Sequence, residues 1–515
     1  MKLVFLSSSD IHGYILPTDY QNQHDTDAPI GLARVSAIFK AEQACYGKEN
    51  VILTDAGDYL QGSPLASYVH SVKNYRALSK YVAFDQAIGY DARCLGNHDF
   101  NYGLDYLKYF LSHNSSPIVN NNILDQTTNQ PAFGNDYLII EKNGLKIGLI
   151  GLTTQKVPSW EPAAHVAGLR FASAYEQASY YAQLLRPQVD VLAVLYHGGF
   201  EKDPESGQIT EPATGENEGY RILTQIPEID IMLTGHQHRR MSLVAHDTAI
   251  VQPGYRGEAV GKVVLEIDEQ TRKIKTKTAS LIDAKDFAPD PEIIKLAATL
   301  NKETQIWLDQ PVAELAQPAP INNAEQARIK GAPFVNLLQQ MQLYFTHADV
   351  SATAVMSDTA KGFGKSVTMR DILLNYPYAN QLCKVKLTGQ ELREIIEYSL
   401  SFLTKDAKGQ VTFLPAKRDQ LFNFDIFYPI NYQADIKKKP GHRLTKLELN
   451  GQPIEDRKTY YLAVNNYRAM GGGFYPGYAP EKITSILAKD YVQMFQEFLT
   501  KAKPQVDCKP NFLLQ

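Results

Sequence analysis

At 515 residues the chain is too long for one ordinary domain, and with 52 basic against 56 acidic residues its formal net charge is only −4. That balance argues against a nucleic-acid polymer or an anionic membrane as the main partner. No stretch approaches the ~20 uninterrupted apolar residues of a membrane span.

The chain opens with "MKLVFLSSSDIHGY", whose apolar run is too short for a secretory leader, so a first β-strand and a cytoplasmic protein are expected. Cys45, Cys94, Cys383 and Cys508 lack metal-like spacing, which fits reduced thiols in that compartment. Up to about Asp283, the runs "KLVFLSS", "NVILTDAG", "DQAIGYDARCLG", "KIGLIGLTT", "DVLAVLYHGG" and "IDIMLTG" alternate with helical or irregular stretches, each run ending in small or polar residues. This pattern predicts a layered α/β domain with its site at the strand ends. "AIVQPGYRGEAVGKVVLEID" and "KIKTKTASLID" predict closing strands. "DPEIIKLAATLNKETQIWL" has helical spacing behind an Asp290-Pro291 start signal, and predicts a connecting helix. Beyond about Pro311, "GAPFVNLLQQMQLYFTHA" and "TGQELREIIEYSLSFL" read as helices, and "NQLCKVKL", "HRLTKLELN" and "TYYLAVNNY" as strands of a second α/β domain.

The chemistry gathers at the ends of the apolar runs. Asp10-x-His12 closes the first, where strand alternation would turn both side chains to one face. Asp58 follows Gly57 after the second run, Asn97-His98 follows the third, His197 ends "VLAVLYH", and His236 and His238 lie in "LTGHQH". Five of the twelve histidines thus stand at strand ends beside glycine, whereas core or surface histidines would be scattered. Two divalent ions sharing a carboxylate suit such a set. Asp10, His12, Asp58 and His238 would hold one ion, and Asp58, Asn97, His197 and His236 the other. His98 would stay free to donate a hydrogen bond to a developing oxyanion or leaving group. Oxygen and imidazole ligands without thiolate suit Mn, Zn, Fe, Co or Ni. Two such ions against the carboxylates of Asp10 and Asp58 leave a net positive site, which predicts a phosphate substrate attacked in line by a metal-bridged hydroxide.

The ordered set D-x-H, G-D-x-x-x-G-S, G-N-H-[DE]-F, H-G-G and G-H-x-H resembles the calcineurin-like metallophosphoesterases over about the first 285 residues. The remainder is similar to the 5′-nucleotidase family, and "FNFDIFYPINY" and "VNNYRAMGGGFYP" are most like its 2′,3′-cyclic-nucleotide 2′-phosphodiesterase/3′-nucleotidase branch. The resemblance implies a four-layer α/β/β/α sandwich over 1–285, a linker helix over 286–310 and a nucleotide-binding α/β domain over 311–515. It also implies hydrolysis of 2′,3′-cyclic nucleotides and 3′-nucleotides, small-molecule substrates that bridge the two domains, with no obligatory protein partner. Its alignment points to Phe424 and Tyr467 as a base-stacking pair, with Gly472 allowing close approach of backbone. Two departures stand out. Asn101 replaces the Asp that forms a dyad with the catalytic His in many 5′-nucleotidases, and "DTAKGF" replaces a Gly-Gly-x-Arg clamp, leaving Lys361 as the nearest cation. A 5′-nucleotidase or nucleotide-sugar hydrolase, or a non-catalytic nucleotide-binding protein, stand as the alternatives.

Overall fold

Strand Val191–His197 is buried along its whole length, yet its residues serve two different cores. Val191, Ala193 and Leu195 join one cluster, while Leu192, Val194 and Tyr196 join another. A strand covered on both faces belongs inside a layered α/β fold, where period-2 alternation assigns each residue to one layer.

The computed structural model describes residues 1–23, 27–72, 75–378, 380–507 and 509–515, so Cys508 lies outside the described residues. Two compact units divide the chain, residues 1–305 and 306–515. Besides a two-stranded sheet of Ile123–Asp125 with Leu169–Phe171, the first holds two large sheets, whose strands are β1 (Lys2–Ser8), β2 (Val51–Asp55), β3 (Ala92–Arg93), β4 (Tyr137–Lys142), β5 (Leu145–Thr153), β6 (Val191–His197), β7 (Ile231–Thr234), β8 (Arg240–Ala245), β9 (Thr248–Pro253), β10 (Ala259–Ile267) and β11 (Ile274–Asp283). One sheet runs in the order β11-β10-β1-β2-β3 and the other β8-β9-β7-β6-β5-β4. Within them β1, β2 and β3 are mutually parallel, as are β5, β6 and β7, so their carboxyl ends share one edge of each sheet. Leu3, Phe5 and Ile52 of the first sheet and Leu149, Ala193 and Leu233 of the second form the core between them. Helix α1 (Leu32–Tyr46) packs on β1 and β2, and helix Ala174–Leu185 covers β5 and β6, which completes the four layers.

One expected strand run is corrected. Most of "DQAIGYDARCLG" is not extended: Asp85–Ile88 end a helix, Tyr75–Ile88, and only Ala92 and Arg93 pair as strand. The apolar residues Ala77, Leu78, Tyr81, Val82 and Phe84 set a helical face, and Asp85 stays in register with it to bind Arg93 at 2.6 Å.

Helix Pro291–Leu308 begins with Asp290, whose Oδ1 accepts from the Glu292 N–H at 3.0 Å. Asp290 also accepts from Ser36 at 2.5 Å and pairs with Lys40 at 2.7 Å, fixing the helix start to α1. Among the described residues no helix is long and apolar enough to cross a membrane.

The second unit is built on a five-stranded sheet containing Val350–Thr353, Gln381–Thr388, Ile426–Tyr428, Thr459–Asn465 and Ile483–Asp490. Its helices include Pro333–Thr346, with Pro at the first turn, and Gly389–Leu400, opened by a Thr388/Glu391 capping box.

Candidate metal centre

The backbone does more here than the alternation of a strand. β1 stops at Ser8, and Asp10 and His12 adopt left-handed conformations with φ of 52° and 50°. Their convergence, expected from alternate strand positions, comes instead from a turn. Asp58, His236 and His238 share this conformation, at φ of 59°, 71° and 56°. Each such residue costs of order 1–3 kcal/mol and persists only where its surroundings over-determine it.

Those surroundings are visible. The Asp10 N–H donates to the Gly57 carbonyl at 2.9 Å, and the His12 N–H to the Asp58 carbonyl at 2.8 Å, lacing the first loop to the second. Asp99 then locks the second loop to the third. Its carboxylate accepts from the backbone N–H groups of Asp58, Tyr59, Leu60 and Gly96 at 2.8–3.2 Å. Gly96 has no room for a side chain, because a Cβ would sit 2.1 Å from Asp58 Oδ1.

All seven expected ligands come together. His238 Nε2 lies 3.4 Å from Asp10 Oδ1 and 3.1 Å from His12 Nε2, so Asp10, His12 and His238 present one cluster of donors. Asp10, Asp58 and His197 present a second. Asn97 Oδ1 stands 3.0 Å from His197 Nε2 and 2.9 Å from His236 Nδ1, which brings the amide and both imidazoles beside that second group. Period 2 delivers His197, since it follows Leu195 on the inter-sheet side of β6.

The nitrogens left over are held by other groups. His12 Nδ1 is 2.9 Å from the Gln61 carbonyl, His197 Nδ1 2.7 Å from the Ala56 carbonyl, and His236 Nε2 3.0 Å from Glu216. Such contacts orient the ring and leave the nitrogen facing the cluster to bind a cation once any proton it carries is lost.

One atom tests directly whether these residues suit a cation. Asp58 Oδ1 accepts from the His98 N–H at 2.7 Å, whereas Oδ2 is buried and accepts no hydrogen bond among the described residues. It lies 3.7 Å from His12 Nε2 and 3.2 Å from His197 Nε2, between donors of the two groups. A buried, unsatisfied carboxylate oxygen among imidazoles is a metal-binding environment, and the all-oxygen-and-nitrogen donor set fits divalent ions.

Titration points the same way. Burial lowers the His12 imidazole, with the nearby His238 adding to it, and the group is pushed down to about 3, a neutral ligand. For His197 burial acts downward too, but Asp58 and Asp10 override it and hold the imidazole up to about 10. Burial would raise the carboxyls of Asp10 and Asp58, yet neighbouring histidines keep both below the usual range.

His98 stands next to this cluster, its ring centroid 5.2 Å from that of His12. Its Nδ1 is 2.7 Å from Asn101 Oδ1, and Asn101 Nδ2 in turn donates to Glu161. Glu161, Glu216 and Asp99 were not singled out by sequence. Only Asp99 had a signal available, its place inside "GNHDF".

In the second unit the expected stacking pair is corrected. Phe424 is 2% exposed and packs among Phe413 and Phe402, with ring centroids 5.1 and 6.3 Å away, so no base can reach its face. Tyr467 is half-buried, and Gly472 lies close enough to it that a Cβ would meet the ring at 2.6 Å. Lys361 is exposed, and its carbonyl accepts from the Ile321 N–H at 2.8 Å. The exposed aromatics of these segments are Phe422, at 39%, and Phe474, at 40% with φ 61°. Buried Arg468 staples their segments together, donating to Asp425 at 2.8 and 3.1 Å, to Asn423 Oδ1 at 3.0 Å and to the Gly472 carbonyl at 2.6 Å.

Comparison with known proteins agrees with both halves of this description. Residues 3–240 match the calcineurin-like phosphoesterase family and residues 311–479 the 5′-nucleotidase C-terminal domain. The chain is 27% identical to a 2′,3′-cyclic-nucleotide 2′-phosphodiesterase/3′-nucleotidase of Haemophilus influenzae, covering 100% of this chain and 88% of that protein. It is 28% identical to the protein of the same description from Salmonella typhimurium, over 92% of this chain and 82% of the other. A Staphylococcus aureus crystal structure, named as a candidate 5′-nucleotidase, superposes with a TM-score of 0.90 at 34% identity, covering 100% of both chains.

Two outcomes follow from the site's electrostatics. Asp58→Asn should bind divalent metal far more weakly than the wild type, by elemental analysis after dialysis; two retained ions would contradict the role of the orphaned oxygen. Because His197 holds its proton until about pH 10, metal loading at pH 8 must expel that proton. Calorimetric titrations in buffers of different ionisation enthalpy should therefore give different heats, and affinity should fall as the pH is lowered.

Proposed function

Since the chain belongs to the calcineurin-like metallophosphoesterases that carry a 5′-nucleotidase C-terminal domain, we propose that it hydrolyses nucleoside phosphates, with 2′,3′-cyclic nucleotides and 3′-nucleotides as preferred substrates. The observation that carries this reading is the buried Asp58 Oδ2, which accepts no hydrogen bond among the described residues and is set between two clusters of histidine and carboxylate donors. Preference for the cyclic and 3′ substrates is supported by the relatives so described, and by Asn101 and the missing Gly-Gly-x-Arg clamp, which part this chain from many 5′-nucleotidases.

In this reading Asp10, His12, Asp58 and His238 would hold one divalent ion, and Asn97, His197 and His236 would join Asp58 in holding another. Such ions supply a nucleophile at neutral pH and neutralise phosphate charge. The protein's own groups do the rest. Asp10 and Asp58 contribute only two negative charges, so a loaded site retains positive charge and attracts a phosphate ester. Asn97 ligates without adding charge, preserving that excess. His98 donates from Nε2 to the oxygen on which charge develops, a contact stronger in the transition state than in the ground state.

Recognition of the base is assigned to the second unit, where Phe422 and Phe474 take the place of Phe424 as stacking faces. Stacking is tolerant of base identity and contributes about 1–3 kcal/mol per base. A second reading, 5′-nucleotidase activity, is favoured by the name of the Staphylococcus aureus structure.

A hydrolysis panel with Mn²⁺ separates the two: 2′,3′-cyclic AMP and 3′-AMP should be cleaved with higher kcat/KM than 5′-AMP or UDP-glucose, and the reverse order would favour the second reading. His98→Ala should retain metal while kcat falls by about 10²–10³. Replacing Phe422 and Phe474 together by Ala should raise KM for nucleotides by about tenfold or more. It should spare bis(p-nitrophenyl) phosphate, and equal losses on both substrates would remove the two rings from base recognition.

A further inference from the structure

A histidine that donates from Nε2 needs a fixed ring, and the fixing contact is made at Nδ1. At His98 that contact is an amide oxygen, Asn101 Oδ1, 2.7 Å away. An amide is ambiguous, because a half-turn about its last bond exchanges acceptor for donor. Turned the wrong way, Asn101 would present N–H to Nδ1 and exclude the doubly protonated ring, the one form that donates from Nδ1 to Asn101 and from Nε2 to substrate at once.

Glu161 removes the ambiguity. Its Oε1 accepts from Asn101 Nδ2, and a carboxylate offers only acceptors, so a single orientation of the amide satisfies both neighbours. Glu161 is itself well held. Its side chain is 6% exposed, and its other oxygen lies 3.0 Å from His165 Nδ1. The preceding residue, Trp160, stacks on His236 with ring centroids 5.5 Å apart, which ties this segment to the histidine cluster.

We propose that Glu161 is the positioning residue for His98 and acts through Asn101, so that two residues do what one carboxylate at position 101 would do. The inference rests on the role given to His98 above. It explains how a chain with Asn at this position keeps a directed imidazole: the negative end of the relay is moved one residue outward, to a carboxylate sixty positions away in the sequence.

The test uses the full-length protein loaded with Mn²⁺, with steady-state kinetics on 3′-AMP and metal content measured for each variant. Glu161→Ala should lower kcat about tenfold with KM and metal content unchanged, the size of effect seen when the partner of a functional histidine is lost. Glu161→Gln, which keeps an acceptor for the Asn101 amide, should lose less. Asn101→Asp alone should be impaired, because it sets two carboxylates against each other. Adding Glu161→Gln to Asn101→Asp should recover most of the lost rate, since the new amide can donate to the new carboxylate. A role for Glu161 in folding alone predicts that the two losses multiply. Wild-type kcat in Glu161→Ala, or no recovery in the double variant, would overturn the proposal provided His98→Ala has lost rate. Wild-type kcat in His98→Ala would instead overturn the role of His98.

Discussion

Burying a carboxylate costs several kcal/mol unless a cation or a full set of hydrogen bonds answers it. Asp10 and Asp58 are both buried, they lie within one donor cluster, and Asp58 Oδ2 accepts no hydrogen bond among the described residues. Protons on the surrounding histidines answer that charge only in part, as the raised His197 shows. Divalent cations at the candidate sites would answer the remainder, and the rest of the site can be understood as the means of holding these two groups in place.

That holding is done by loops. Residues at positive φ, a glycine that admits no Cβ and backbone hydrogen bonds from one loop to the next replace the helices and strands that usually fix a site. Asp99 is central, because one carboxylate collects four backbone N–H groups from two loops. Burial raises its carboxyl and the charge of Asp58 adds to this, while those N–H groups oppose both. Strain in the loops and unsatisfied charge in the site are thus parts of one construction, in which the stability of the sheets underneath offsets the cost at their ends.

The second unit solves a different problem by related means. The base-binding surface proposed for it would need aromatic faces that stay exposed, although hydrophobic burial favours hiding them. Arg468 reaches Asn423, Asp425 and the Gly472 carbonyl from within the fold, so the neighbouring Phe422 and Phe474 are held outward by the backbone on either side of that contact. Phe424, two residues along, is free to pack inward on Phe413.

The residues of the candidate metal centre were legible in the sequence because the pattern is local: strand, small residue, histidine or carboxylate, repeated along the chain in a fixed order. Alternation in β6 alone assigns His197 to the inter-sheet side. The same rule applied to Asp10 and His12 named two residues that do converge, but for the wrong reason, since the strand had already ended and a turn brings them together. In "FNFD" alternation could not say which ring faces inward, because that depends on Phe402, Phe413 and Arg468, none of them adjacent in the chain. Nor could any local pattern have found Glu161 or Glu216, single carboxylates in irregular segments whose partners Asn101 and His236 come from elsewhere. The sequence by itself determined the layered α/β architecture and which histidines and carboxylates gather at the strand ends, for which short-range periodicity and residue chemistry suffice. Only the tertiary structure decided what orients each imidazole and which aromatics stay exposed, because hydrogen-bond partners and burial are set by contacts between segments far apart in the chain.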